Sequence, residues 1–313
     1  FYDGEIYEAD PSHVVYTWKR ADITQLKEKP TIQVRYGEPV LGHEILAGKY
    51  IGQTKDGEFL YDFGQNLAGL ITLKVQAKAG DVITIRHAEA LDEDDLYVQN
   101  LRSAKQIIEY HCKDGEQIYS PRFTYMGFRY IAVKGIRPEQ MQVKVQAVYS
   151  ELTEFGGFSC SNEDLNQLQS NIVWSGKSNF IDIPTDCPQR DERQGWTGDI
   201  ALFASTACFN FAMDRFLMKW LKDMKAEQGK MGSIPFVVPI RKGITPSMTT
   251  SCWGDACIIV PYELYRYSGN VQILEEMYPV MKKYMRDVRR WANMGLLANK
   301  TPYVFSLPFQ FGD

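Results

Sequence analysis

Two periodicities divide the chain. Before about residue 150, apolar and polar residues alternate in short runs, as in Leu70-Ile-Thr-Leu-Lys-Val75, Val82-Ile-Thr-Ile-Arg86 and Gln142-Val-Lys-Val-Gln-Ala-Val148. A strand sends successive side chains to opposite faces, so these runs predict strands with one buried side. Residues 59–63, 106–111 and 128–133 are enriched in β-branched and aromatic side chains and predict further strands. Glycine turns such as Ala79-Gly80-Asp81 close them, and the spacing predicts an antiparallel β-sandwich over residues 46–154. Residues 1–45 carry short β-favouring runs (Ile6-Tyr7, Val14-Val-Tyr16, Ile32-Gln-Val-Arg-Tyr36) among prolines and glycines and read as the end of a preceding β domain.

Around Glu154 the period changes to that of a helix. Ser161-Asn-Glu-Asp164 has the character of an N-cap with an acidic first turn, and it predicts a helix over 162–179 with Leu165, Leu168, Ile172 and Trp174 on one apolar face. Residues 200–225 predict one long helix whose stripe of Phe203, Ala207, Met213, Phe216, Leu217, Trp220, Leu221 and Met224 is core packing. Residues 229–250, rich in Gly, Pro, Ser and Thr, predict a long loop, and two helices follow at 255–267 and 271–293, the second kinked at Pro279. Helices joined by loops carrying aromatic and acidic residues predict stacked hairpins with their loops gathered at one end.

Composition narrows the function classes. A net charge of -4 without a long basic run gives no surface for tracking phosphates, which argues against a nucleic-acid partner. No apolar run approaches the roughly 18 residues of a membrane helix, which argues against a membrane partner. The opening residues Phe1-Tyr-Asp-Gly-Glu5 are neither an initiator methionine nor a signal peptide, so the expectation is a start within a longer protein or after processing. Thiols without evident pairing fit a reducing interior, while an export signal ahead of Phe1 would place the protein outside it; cytoplasmic, periplasmic and secreted locations stay open. Six cysteines (Cys112, Cys160, Cys187, Cys208, Cys252, Cys257) lack paired metal spacing and read mostly as buried thiols. No metal or cofactor is expected. Asp92-Glu-Asp-Asp95 lacks the glycine and distal glutamate of an EF-hand loop and reads as a solvated loop. All four histidines lie at or before residue 111, so histidine-assisted nucleophilic catalysis local to the second half is excluded.

The chemistry concentrates in Pro184-Thr-Asp-Cys-Pro-Gln-Arg-Asp-Glu-Arg-Gln-Gly-Trp-Thr-Gly-Asp199. Carboxylates this close, if they share a dry cleft, push at least one towards holding its proton, which makes a general acid. An acid beside ionised carboxylates and a flat aromatic face suits protonation of a glycosidic oxygen. The plain alternative is a solvated turn with surface ion pairs and Asp199 capping the next helix.

Several segments together resemble bacterial α-L-rhamnosidases of the inverting, α/α-barrel type (glycoside hydrolase family 78). They are Phe1-Tyr-Asp-Gly-Glu5, Asp62-Phe-Gly-Gln-Asn66 with Ala68-Gly69, Pro121-Arg-Phe-Thr-Tyr125 with Gly127-Phe-Arg-Tyr130, the acidic motif, and Trp253-Gly-Asp255. The resemblance implies a multidomain α and β chain, with the sandwich followed over 155–313 by the first part of an (α/α)6 barrel. It implies Glu192 as general acid, Asp186, Arg190, Asp199 and Asp255 as groups that contact the sugar or hold the acid, and Trp196 and Trp253 as walls of a rhamnose pocket. On this reading the arginines turn towards the aspartates and leave Glu192 facing the sugar. The partner is a rhamnosylated carbohydrate, and a homodimer stays open. Inversion also needs a general base roughly 6.5 to 9.5 Å from the acid, which the resemblance places beyond Asp313, since Gln310-Phe-Gly-Asp313 resembles the start of a further family motif. A carbohydrate-binding module and another (α/α)6-barrel enzyme, such as an unsaturated glucuronyl hydrolase, stay open as alternatives.

Overall fold

The computed structural model describes residues 1–13, 20–22, 34, 36–241, 250 and 252–293. The expected strand at 14–16, most of 32–36, the end of the loop after 229 and the motif at 310–313 lie outside them.

Among the described residues, nine strands of the first half form one hydrogen-bonded sheet. Its members are β1 (Gly4–Glu8), β2 (Val40–Ala47), β3 (Lys49–Gln53), β4 (Phe59–Ala77) and β5 (Val82–Ala88), then, beyond a small separate hairpin of β6 (Ala90–Asp92) and β7 (Asp95–Tyr97), β8 (Ile107–His111), β9 (Gly115–Tyr119), β10 (Met126–Lys134) and β11 (Met141–Ser150). Pairing is antiparallel except where β1 lies parallel to β8. The alternation does its expected work: Ile71, Leu73 and Val75 of β4 and Val143 and Val145 of β11 are buried, while Lys74, Gln76 and Lys144 are exposed. The acidic run at 92–95 is the tight turn of the small hairpin, with Asp95 paired to Arg86.

The 19-residue β4 organises the sheet, because its first half pairs with β3 and β10 and its second half with β11 and β9. The segments expected at 59–63 and 70–75 are therefore one strand. Between Leu67, opposite Phe128, and Asp62, opposite Tyr130, β4 loops out as a bulge. Gly64 sits there at φ +78, and Arg129 grips Asp62 through two hydrogen bonds of 2.8 Å. That grip holds the Asp62 carboxyl below its ordinary range. Strands β1 and β2 belong to this same sheet, so no break in it marks residue 45.

The second half is helical. Helix α1 (Glu163–Asn179) starts at Asn162, one residue after the expected cap, whose side chain accepts the Asp164 and Leu165 amides. A short hairpin of β12 (Phe180–Ile181) and β13 (Ile183–Pro184) leads into the acidic motif. The helix expected at 200–225 is two, α2 (Thr197–Asn210) and α3 (Asp214–Glu227), broken where Phe211 turns to extended backbone and Ala212 bonds to the Thr153 carbonyl. The apolar stripe runs through the break, which is why periodicity alone joins the two. Helices α4 (Ala256–Ser268) and α5 (Val271–Asn293) follow, and Trp220, Phe216, Leu221, Met224, Cys257 and Val260 fill the helical core.

The expected apolar face of α1 is corrected in part: Leu165 and Leu168 are exposed. What α1 buries is its last turn, Gly176, Lys177 and Ser178. Lys177 makes 2.7 Å ion pairs with Glu44 of β2 and Glu154 of the linker, and lies over the Tyr149 and Trp174 rings. Replacing it by methionine leaves two carboxylates facing each other across a nearly buried site. With both partners about two-fifths exposed, Lys177→Met is expected to cost about 2 kcal/mol in a urea unfolding titration.

Candidate active site

The acidic motif forms a closed loop between β13 and α2. Asp186 pins its neck: its amide donates to the Gln194 carbonyl at 3.0 Å and its carboxylate accepts the Gln194 amide at 2.8 Å. The glycines that follow are set by close approach. A Cβ on Gly195 would lie 2.1 Å from the Val238 carbonyl oxygen, and one on Gly198 would lie 2.9 Å from the Trp253 ring. Thr197 and Trp196 then bond along residues 236–237, which aligns the start of α2.

Within the loop, Glu192 is only 14 % exposed and its carboxylate is fully engaged. Trp196 Nε1 donates to Oε1 at 2.9 Å, while Arg102 Nη1 and Arg190 Nε lie 2.8 and 3.1 Å from Oε2. Arg190 also reaches Asp186 at 3.4 Å. The expectation that the arginines turn to the aspartates is thus corrected: Arg190 bridges Asp186 and Glu192, and a second arginine, Arg102, comes from the sheet. Arg102 follows a 3-10 turn at φ +57, in a loop whose next residue, Ser103, donates a short hydrogen bond to Asp191. That bond pulls the Asp191 carboxyl down and gives this residue a role as a tie to the sheet.

Arg193 points the other way. It is buried, with no carboxylate paired to it among the described residues; its guanidinium donates to the carbonyls of Tyr125, Gln189 and Arg190 and to Gln106 Oε1. The rings of Phe1, Tyr2 and Tyr125 surround it at 4.8 to 5.3 Å. Tyr2 also donates its hydroxyl to the Glu192 carbonyl, and Thr124 donates to the Phe1 carbonyl. On the sheet side, a Cβ on Gly127 would lie 2.7 Å from the Pro188 backbone, so β10 can approach the loop only as glycine.

Two clefts meet at Asp186. One of about 350 Å³ between α1 and α2 is lined by Phe180, Ile200, Phe203, Asp186 and Asp199. The other, of about 380 Å³, lies between the sheet and α1. Asp199 is open to the first cleft, yet the protein around it raises its carboxyl, helped by the charges of Asp186 and Glu192. Burial pushes the Cys187 thiol up to about 12, which disqualifies it as a nucleophile. Asp186, Cys187 and Glu192 offer ligand atoms within 4.8 Å of one another, but Arg190 occupies the space between the two carboxylates.

Two family models match the chain in succession: the bacterial α-L-rhamnosidase concanavalin-like domain over residues 52–151, and the bacterial α-L-rhamnosidase 6 hairpin glycosidase domain over residues 153–304. The chain belongs to the bacterial α-L-rhamnosidase family. It is 40% identical over 299 residues to an α-L-rhamnosidase of Formosa agariphila, covering 91% of this chain and 32% of that protein. To one of Streptomyces avermitilis it is 38% identical over 263 residues, 83% of this chain and 25% of that one. The crystal structure of the Streptomyces avermitilis α-L-rhamnosidase complexed with L-rhamnose superposes with a TM-score of 0.78 at 36% identity, covering 82% of this chain and 25% of that one. The α-L-rhamnosidase from Dictyoglumus thermophilum gives 0.77 at 36% identity, covering 83% and 30%. The chain therefore spans about a third of the length of the first of these relatives.

Among the residues singled out from sequence, Asp186, Arg190, Glu192 and Trp196 form one bonded and ion-paired cluster, with Asp199 across the first cleft. Trp253 packs on Gly198 and on Phe236, and its ring nitrogen is buried without a hydrogen-bond partner among the described residues. Asp255 spends both oxygens inside the fold, on the Cys252 amide and the Tyr284 hydroxyl, and so shapes the start of α4. Sequence reasoning missed Arg102, Ser103 and Gln106, which lie in a short polar loop without regular period. Asp199→Asn is expected to raise the melting temperature at neutral pH, because it removes a charge the fold penalises. The folded-state pKa is raised, so the penalty is full above it, shrinks as pH falls through it, and is gone once pH drops below the unfolded value of about 4; melts at neutral pH and at a pH below about 4 check this.

Proposed function

We propose that this chain is the sheet and the first helical hairpins of a glycosidase that removes terminal α-L-rhamnose with inversion, and that Glu192 is its general acid. The observation that carries the role is the cluster itself: a nearly buried carboxylate on a loop locked at its neck, with an indole and two guanidinium groups aimed at its oxygens. A protonated Glu192 offers a hydrogen that none of these donors can accept, so one must withdraw as the glycosidic oxygen arrives. Arg102, whose side chain is 54% exposed, is the one free to do so. Arg190 would stay, tied to Asp186. Asp199 at the cleft rim and the faces of Trp196 and Trp253 would complete the sugar pocket, the indoles covering the apolar edge that the C6 methyl gives rhamnose.

The remaining half of an (α/α)6 barrel, with the general base that activates water, is assigned to residues beyond those described. The exposed apolar side chains of the helices support this. Leu165 and Leu168 of α1 and Leu202 and Phe209 of α2 all face solvent, and further barrel helices would cover them. The unit over 46–154 is read as a sandwich-type accessory domain that supplies the clamp on the acid. A carbohydrate-binding module would need neither the neck nor the donors on Glu192.

The test uses the full-length protein. An aryl α-L-rhamnoside should release β-L-rhamnose first, seen by NMR before mutarotation; release of the α anomer would refute inversion. Glu192→Gln should lower kcat on alkyl rhamnosides by roughly three orders of magnitude while leaving rhamnose binding within a few-fold. Near-normal turnover by that variant would remove Glu192 from the role.

A further inference from the structure

Residues 1–8 lie far ahead of the acidic motif in sequence, yet they reach the main chain of its acid. Tyr2 donates its hydroxyl to the Glu192 carbonyl at 2.8 Å, across 190 positions of chain. The other end of that peptide unit is held as well, since the Arg193 amide donates to Cys187 Sγ at 3.5 Å. The peptide between Glu192 and Arg193 is therefore gripped at its oxygen by the sheet half and at its nitrogen by the loop. That grip opposes a strain. Arg193 sits at φ +52, and relaxing it means rotating this peptide, which drags on the Cα from which the acid side chain projects. Tyr2 has the footing to resist. Its carbonyl accepts the Gln106 amide at 3.2 Å, and the Asp3 carbonyl accepts the Ile107 amide at 2.9 Å, where the parallel pairing of β1 with β8 begins. The pairing is close enough to require glycine at position 4, at φ +114, because a Cβ there would collide with the Ile107 carbonyl oxygen. Next to it, the Glu5 carboxylate accepts the Tyr119 hydroxyl at 2.9 Å and the Arg122 amide at 3.2 Å. The Tyr2 ring lies 5.3 Å from the Arg193 guanidinium, and burial raises its phenol above the ordinary range, so it keeps the proton it donates at neutral pH.

We propose that Tyr2 is a positioning residue for the general acid: its bond to the Glu192 carbonyl fixes the main chain from which that carboxyl projects towards the glycosidic oxygen. The proposal rests on Glu192 being the acid, as read above. It gives the segment Phe1–Glu5 a task in the reaction, although Tyr2 acts on the acid through its backbone and its ring is spent on Arg193. The residues on either side of Glu192 are tied to the sheet half too, Asp191 through Ser103 and Arg193 through the Tyr125 carbonyl. Asp191, Glu192 and Arg193 thus take their places from outside the loop, each by a different contact. Of these contacts the Tyr2 hydroxyl is the one made to the acid's own peptide. A carboxyl held slightly off line leaves sugar binding intact and slows proton transfer to the departing oxygen.

The experiment measures kcat/KM of the full-length protein on an alkyl α-L-rhamnoside, whose leaving oxygen must be protonated, and on a dinitrophenyl α-L-rhamnoside, whose leaving group departs as the anion. Tyr2→Phe removes one hydroxyl and keeps the ring beside Arg193. Its alkyl-to-dinitrophenyl ratio should fall about fivefold, the worth of one hydrogen bond, with the inhibition constant of free rhamnose unchanged. Tyr119→Phe, which takes one partner from Glu5 on β1 without touching Glu192, should keep the wild-type ratio. A loss of fold lowers both rates by one factor, so the ratio reads position alone. An unchanged ratio in Tyr2→Phe, a fall of both its rates by the same factor, or an equal loss of ratio in Tyr119→Phe overturns the role. Glu192→Gln on the same two substrates separates this failure from a failure of the acid assignment. If Glu192→Gln collapses the ratio while Tyr2→Phe leaves it alone, only the role of Tyr2 falls; if Glu192→Gln leaves it alone, the acid assignment falls and the role of Tyr2 with it.

Discussion

A buried guanidinium is costly to desolvate, and the arrangement around the motif follows from how Arg193, which has no carboxylate partner among the described residues, meets that cost. Carbonyl oxygens of Tyr125, Gln189 and Arg190 take its hydrogens, and three aromatic faces take its charge. Because two of those carbonyls belong to the loop itself, satisfying Arg193 also folds the loop. The aromatic faces come from residues about 70 and 190 positions away, so the loop cannot take this shape apart from the sheet. Arg193 sits at φ +52, a conformation a side chain adopts only when its surroundings insist.

The sheet therefore acts as a mould for the chemistry. It lends Arg102 to one oxygen of Glu192 and Ser103 to Asp191, and it brings the Gly127 backbone up against Pro188. Arg190 and Arg193 flank Glu192 in sequence but divide their work: one stays in the carboxylate cluster and the other leaves it for the aromatic cage. Charge counting along the motif treats them alike, and only the cage separates them.

How far the sequence revealed this depends on the range of each interaction. Strand alternation in residues 70–75 and 142–148 and the helix beginning near Asn162 are local patterns, and the structure keeps them. The break at Phe211–Met213 is not local, since Ala212 is turned by a hydrogen bond to Thr153 in the linker. Leu165 and Leu168 look like core residues because periodicity reports an apolar face without saying what covers it. At the site, Asp186, Arg190, Glu192 and Trp196 were legible because they sit within eleven positions of one another. Arg102, Ser103 and Gln106 were not, because polar residues in short loops carry no periodic mark and acquire meaning only from what the fold sets opposite them.

The order of the parts along the chain adds a temporal dimension. Every strand of the large sheet lies before residue 151, and the acidic motif begins at Pro184. During synthesis, then, the aromatic residues, Gln106 and Arg102 leave the ribosome ahead of the loop they will hold, and domains made first tend to fold first. The loop emerges to a receptacle already assembled, and its most strained residue, Arg193, meets its partners as a template instead of having to recruit them.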